Sequence, residues 1–191
     1  MDPNLFRVVA VAGSAGSITP LCHLLEVLPA TFGAAMLIAH HRSAAEGGHL
    51  VDVFRRCAPM PVRFAVDGEN LAPRSVLLAP PHSDLLVIPG ERVAVPLRPP
   101  QHFVQPSADL LFSSLAAVVG PRAVAIVLSG AGVDGAVGAG EVKAAGGLVV
   151  AQTEISAEIP GMPSAAIRSG AVDLVLPPAQ IAGLLLNVAN A

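Results

Sequence analysis

Residues 6–17 read FRVVAVAGSAGS, an apolar run that stops at a turn of small residues carrying Ser14. Two further stretches repeat the pattern. Residues 34–41, AAMLIAHH, run into a pair of histidines, and residues 124–135, VAIVLSGAGVDG, run into a glycine-rich turn carrying Asp134. Short apolar runs rich in Val and Ile and closed by Gly, His or Asp read as buried strands. As parallel strands of one sheet they would deliver a hydroxyl, an imidazole and a carboxylate to the same carboxyl edge, where open α/β sheets bind ligands. Those are the parts of a serine-nucleophile hydrolase.

Working outward, strands are expected at 6–12, 35–40, 62–66, 75–79, 123–129, 148–152 and 172–176. A hairpin is expected at 84–88 and 92–96 around Pro89-Gly90-Glu91. Helices are expected at 18–28, 47–57, 107–119, 136–145, 163–169 and 178–188, with Pro29 closing the first and Ser107 capping the third. The Pro-rich stretch from Leu97 to Pro106 reads as a functional loop. Such alternation predicts an α/β fold: a single three-layer, doubly wound domain over residues 1–191, with a mostly parallel sheet and a small antiparallel hairpin.

Composition agrees. Of the 191 residues 53% are hydrophobic but only 3% aromatic, with no Trp or Tyr, as suits a sheet packed on both faces by aliphatic side chains. Mean hydropathy is +0.65, yet no apolar run reaches the roughly 18 residues of a spanning helix, so no membrane insertion is expected. A net charge of −3 and a pI near 6.0 argue against nucleic acid as a partner. The N-terminus lacks signal-peptide features, and two cysteines form no disulfide framework; both point to a reducing cytoplasm. Cys22 reads as a core thiol beside His23, and Cys57 as an apolar helix position.

The turn Ala12–Ser17 admits two chemistries. Backbone N–H groups at a helix start can cradle a phosphate, or the exposed Ser14 can attack a carbonyl while N–H groups near Ala15 and Gly16 receive the oxyanion. The turn lacks a P-loop lysine and does not supply G-x-G-x-x-G. The second strand ends in histidine where a dinucleotide fold places an acid. Alternation along a strand lets only one of His40 and His41 face Ser14, and spacing does not say which. Asp134, singly a helix cap, would as the third member orient that imidazole. The order Ser, His, Asp differs from the Ser, Asp, His order of α/β-hydrolases. His49, His82 and His102 are too scattered for a metal site, and Glu154 and Glu158 read as a solvated turn.

At these residues the chain resembles the CheB-type protein-glutamate methylesterases of bacterial chemotaxis. That family carries a G-A-S-T-G-G-like nucleophile turn, a strand ending in Q-H, and a T-G-M-G-x-D-G turn. They are matched here by Ala12–Ser17, Ala39-His40 and Ser129–Gly135. The likeness continues through Asp67-Gly68-Glu69, Ala79-Pro80, residues 106–112 and Gly161-Met162-Pro163, in one order over essentially the whole chain. The resemblance implies Ser14 as nucleophile, His40 rather than His41 as base, Asp134 as orienting acid, and Ala131 and Met162 at the substrate cleft.

It further implies hydrolysis of glutamyl methyl esters on a chemoreceptor-like protein, glutamine deamidation at the same site, other chemosensory partners and no cofactor. Family enzymes usually carry a receiver domain before this one; here the first strand follows five residues, so none is expected. Ala12 and Ser17 replace glycines, Ala15 a threonine, Ala131 a methionine and Gln105 an arginine. A serine forced to positive φ at position 17 would be strained. A catalytically weakened interaction module and a phosphate- or nucleotide-binding domain are the other two readings of these residues.

Overall fold

Residues 7–41, 49–97 and 105–188 are described in a computed structural model. The strands are β1 (Val8–Gly13), β2 (Ala35–His40), β3 (Val62–Phe64), β4 (Ser75–Leu78), β5 (Leu86–Ile88), β6 (Arg92–Ala94), β7 (Ala123–Val127), β8 (Leu148–Gln152) and β9 (Leu174–Leu176). The helices are α1 (Ile18–Val27), α2 (His49–Cys57), α3 (Ala108–Val119), α4 (Ala136–Ala144), α5 (Gly161–Arg168) and α6 (Pro178–Val188).

Seven strands form one sheet in the order β3-β4-β2-β1-β7-β8-β9, with parallel pairing throughout, and β5 and β6 make a separate antiparallel hairpin. The expected α/β class, mostly parallel sheet and small hairpin are all present. Every residue of β1, β2 and β7 is buried, which is why these strands read as unbroken apolar runs rather than alternating ones.

The two faces divide by parity. Val8, Ala10 and Ala12 of β1 and Ala35, Leu37 and Ala39 of β2 pack against α3, α4 and α5 through residues such as Phe112, Val142 and Met162. Val9, Val11, Met36 and Ile38 pack on the other face against Leu24 of α1, Phe54 of α2 and Ile181 of α6. The chain leaves β1 for β2 on one side and later reaches β7 on the other. The switch in direction therefore falls at the centre of the sheet, at the carboxyl ends of β1 and β7, the position where open α/β sheets bind ligands.

The bounds of β2, β8 and α6 are as expected, and the other boundaries that differ shift by one or two residues. α5 begins at Gly161, so Pro163 sits in its first turn, where a missing N–H costs little. Asp84, expected at a strand start, instead precedes β5 and accepts the Ser107 N–H at 2.8 Å. Phe6, the first residues of the second expected helix, His102 and most of the loop after Leu97 lie outside the described residues.

Candidate active site

The turn after β1 is built by steric exclusion. A Cβ at Gly13 would stand 2.4 Å from Ser17 Oγ, and one at Gly16 would stand 2.6 Å from Ser129 Oγ. Gly16 also holds φ +79°, a left-handed conformation that glycine adopts without strain. Ser17 carries no such burden: its φ is −95°, so the strain anticipated at that position is absent. Its hydroxyl instead donates to the Ser14 carbonyl at 2.7 Å and ties the turn to the start of α1.

Ser14 N–H donates to the Ser129 carbonyl at 3.0 Å, and Ser129 Oγ donates to the Ala15 carbonyl at 3.0 Å. Buried Gln152, at the end of β8, accepts the Ser129 N–H at 2.9 Å. Ser129 and Gln152 thus brace the Ser14 turn from the neighbouring strands, a role the sequence reading did not assign them. Ala15 is exposed at the tip, and among the described residues the N–H groups of Ala15 and Gly16 have no backbone acceptor.

The histidine assignment is corrected by register. Gly13 of β1 pairs with His40 of β2, so Ser14 and His41 are the next neighbours along the two strands. His41 N–H donates to the Gly13 carbonyl at 2.9 Å. Ser14 continues the face of Ala10 and Ala12, and His41 continues the face of Leu37 and Ala39. His40 has the opposite parity. Its ring is buried on the α1–α2 face, edge-on to Phe54 at a centroid distance of 6.5 Å. His41 Nε2 meets Asp134 Oδ2 at 2.8 Å, leaving Nδ1 as the second imidazole nitrogen at this edge. Among the described residues no hydrogen bond yet joins that ring to the Ser14 hydroxyl, a bond that in free enzymes often closes only around substrate.

Asp134 is held from the opposite side by α3. Its Oδ2 accepts the Ala108 N–H at 2.6 Å and its Oδ1 the Asp109 N–H at 3.0 Å. The Ser107 hydroxyl reaches Oδ1 at 3.3 Å, and the expected capping role of Ser107 is present in its bond from Leu110 N–H. A carboxylate at a helix N-terminus meets both free N–H groups and the positive end of the helix dipole. Burial pushes the Asp134 carboxyl upward, but the His41 bond and the N–H groups of Asp109 and Ala108 outweigh it and hold the group below its ordinary value.

The sign of the pH effect follows. A folded-state value below the unfolded one contributes stability at neutral pH, which is lost as pH falls through the ordinary value of 3.8 toward the folded one. Asp134→Asn is therefore expected to cost about 1–3 kcal/mol at pH 6. Urea unfolding should show the wild-type and variant curves converging as the pH drops below 3.8; a gap that stays constant with pH would contradict this linkage.

Ala131 is exposed in the turn after β7. Met162 is fully buried, and its Sδ would lie 2.3 Å from a Cβ on Gly130, next to Ser14 Cβ at 2.9 Å. It packs beneath the Gly130 turn that abuts Ser14. Its N–H also donates to the Gly130 carbonyl at 2.8 Å. Glu154 accepts the Ser164 hydroxyl, and Glu158 flanks Gly16 with Oε2 3.1 Å from the position a Cβ would take. The cysteines correct the sequence reading: Cys22 of α1 and Cys57 of α2 form a disulfide with Cα atoms 5.2 Å apart. The support that separate thiols lent to a reducing compartment is withdrawn. No helix among the described residues is long and apolar enough to cross a membrane.

A serine, a carboxylate-bound histidine and two N–H groups without an acceptor among the described residues thus lie at the carboxyl edge of three adjacent parallel strands. The CheB methylesterase family model matches residues 9–185. The chain belongs to the CheB methylesterase family. It is 36% identical over 184 residues to protein-glutamate methylesterase/protein-glutamine glutaminase 3 of Paramagnetospirillum magneticum, covering 96% of this chain and 52% of that protein. It is 39% identical over 180 residues to the correspondingly named protein of Anaeromyxobacter dehalogenans, covering 94% and 53%. The chain therefore spans about half the length of these curated CheB relatives. The crystal structure of the Thermotoga maritima CheB methylesterase catalytic domain superposes with a TM-score of 0.90 at 27% identity, covering 96% of this chain and 98% of that one.

Proposed function

We propose that this CheB-family chain hydrolyses methyl esters of glutamate side chains on a chemoreceptor-like protein, with Ser14 as nucleophile, His41 as base and Asp134 as orienting acid. The observation that carries this reading is the His41–Asp134 pair standing beside Ser14 on one face of the sheet. His41 takes the Ser14 proton as Oγ attacks the γ-carbonyl carbon, and Asp134 stabilises the imidazolium. The N–H groups of Ala15 and Gly16 receive the developing oxyanion, each such donor being worth about 3 kcal/mol. The imidazolium returns its proton to the departing methoxide, which leaves as methanol. Water, deprotonated by the same imidazole, then attacks the acyl-serine and releases the glutamate carboxylate and Ser14.

With a glutamine side chain the same sequence of steps expels ammonia, in keeping with the glutaminase named in the relatives. A receptor's cytoplasmic portion is the setting this substrate requires. The test is a receptor fragment carrying glutamyl methyl esters, incubated with the chain. Methanol and free glutamate carboxylates are expected in equal amounts. Esters left intact by a folded protein whose Ser14 reacts with a fluorophosphonate would reject the substrate assignment.

A further inference from the structure

α4 is preceded by Gly135, which takes the capping position with φ +93° and has no side chain to satisfy the first N–H groups of the helix. That work is done from another helix. Asp109 Oδ1, in the first turn of α3, accepts the Gly135 N–H at 2.9 Å and the Gly138 N–H at 2.8 Å. In return Asp134, the residue before Gly135, caps α3 through the N–H groups of Ala108 and Asp109. Each helix thus supplies the carboxylate that closes the other's N-terminus. The glycines permit the approach: a Cβ on Gly138 would lie 2.7 Å from the Asp109 carbonyl oxygen, and one on Gly135 3.3 Å from Ala108 Cβ.

Keeping two carboxylates this close has an electrostatic cost. Burial raises the Asp109 carboxyl, the N–H groups of Gly138 and Gly135 pull it back, and the charge of Asp134 raises it further. A cap needed only to finish α4 would be obtained without that repulsion by a Ser or Asn. What the arrangement provides is rigidity at Asp134, whose backbone is fixed through Gly135 by Asp109 and whose oxygens are fixed by α3. His41 takes its orientation from that carboxylate.

We propose that Asp109 is a positioning residue for the reaction: it holds Asp134 in register with His41 and does not touch substrate. The proposal deepens, and rests on, the reading of Ser14, His41 and Asp134 as a hydrolytic triad. Asp109→Ala is expected to lower kcat for ester hydrolysis on the order of 10- to 100-fold with KM little changed, because a displacement near 1 Å in the orienting group has that effect. Fluorophosphonate should still reach one label per chain, but at a correspondingly lower rate. Asp109→Asn, whose amide oxygen accepts the same two N–H groups, should recover most of the rate. Asp109→Glu keeps the charge but moves the acceptor outward by one methylene, and should lose rate while remaining folded.

The decisive readout is independent of turnover. The His41 imidazole proton bonded to Asp134 should give a downfield proton resonance in the wild-type chain and in Asp109→Asn. That resonance should be shifted or exchange-broadened in Asp109→Ala and Asp109→Glu, while the amide spectrum stays dispersed. If Asp109→Ala does not fold, Asp109→Glu decides. An unchanged resonance with full labelling rate in either folded variant overturns the proposal. A wild-type chain that shows the resonance yet hydrolyses no glutamyl ester would reject the functional reading alone.

Discussion

His41→Ala lowers kcat/KM for ester hydrolysis by about 10⁴- to 10⁶-fold, whereas His40→Ala keeps it within about tenfold; triad histidines in serine hydrolases set this scale. The two side chains are adjacent in sequence and opposite in environment. His41 stands on the face of Ser14 and bonds Asp134 at 2.8 Å, so its loss removes the group proposed to take the Ser14 proton. His40 is buried against Phe54 on the α1–α2 face, so its truncation acts on packing. Large-to-small changes at such sites cost about 2–4 kcal/mol, and His40→Ala should show that loss in urea unfolding while remaining active where folded. Progress curves for both variants, normalised to folded protein, separate the roles. If His40→Ala is silent and His41→Ala turns over, the sheet register does not determine the base.

Ser14→Ala should abolish turnover to the same extent with almost no effect on stability. The structural duties of Ser14 belong to its backbone: its N–H binds the Ser129 carbonyl, and its own carbonyl accepts from the N–H and the hydroxyl of Ser17. Alanine preserves all three bonds and the φ/ψ of the turn. Only Oγ is lost, and no structural bond depends on it among the described residues. The melting temperature should therefore change by no more than about 2 °C, since substitutions that leave packing and bonding intact stay within about 0.5 kcal/mol. Residual hydrolysis within tenfold of wild type in a folded Ser14→Ala chain would exclude a serine mechanism.

Much of this site is legible in the sequence, for a physical reason. Strands buried on both faces are continuous apolar runs, so the polar residue where each run stops marks the sheet edge. Ser14 and Asp134 are marked in this way. The same burial hid which histidine matters: with no polar alternation along residues 35–39, nothing in the run marks which parity faces α3. That information resides in the pairing of Gly13 with His40, a contact between strands. The supports were hidden for the same reason. Ser129, Gln152 and Asp109 act through bonds to turns 23 or more residues away in the chain, and each alone reads as an ordinary strand-end or helix-start residue. The Cys22–Cys57 link likewise depends on α1 packing beside α2.

Reaction with a fluorophosphonate followed by peptide mapping tests most directly whether Ser14 is activated by the His41–Asp134 pair. One adduct per chain is predicted, on Ser14, forming rapidly in the wild-type protein and in His40→Ala and slowly in His41→Ala. An adduct on any other residue, or a Ser14 adduct that forms equally fast without His41, would contradict it.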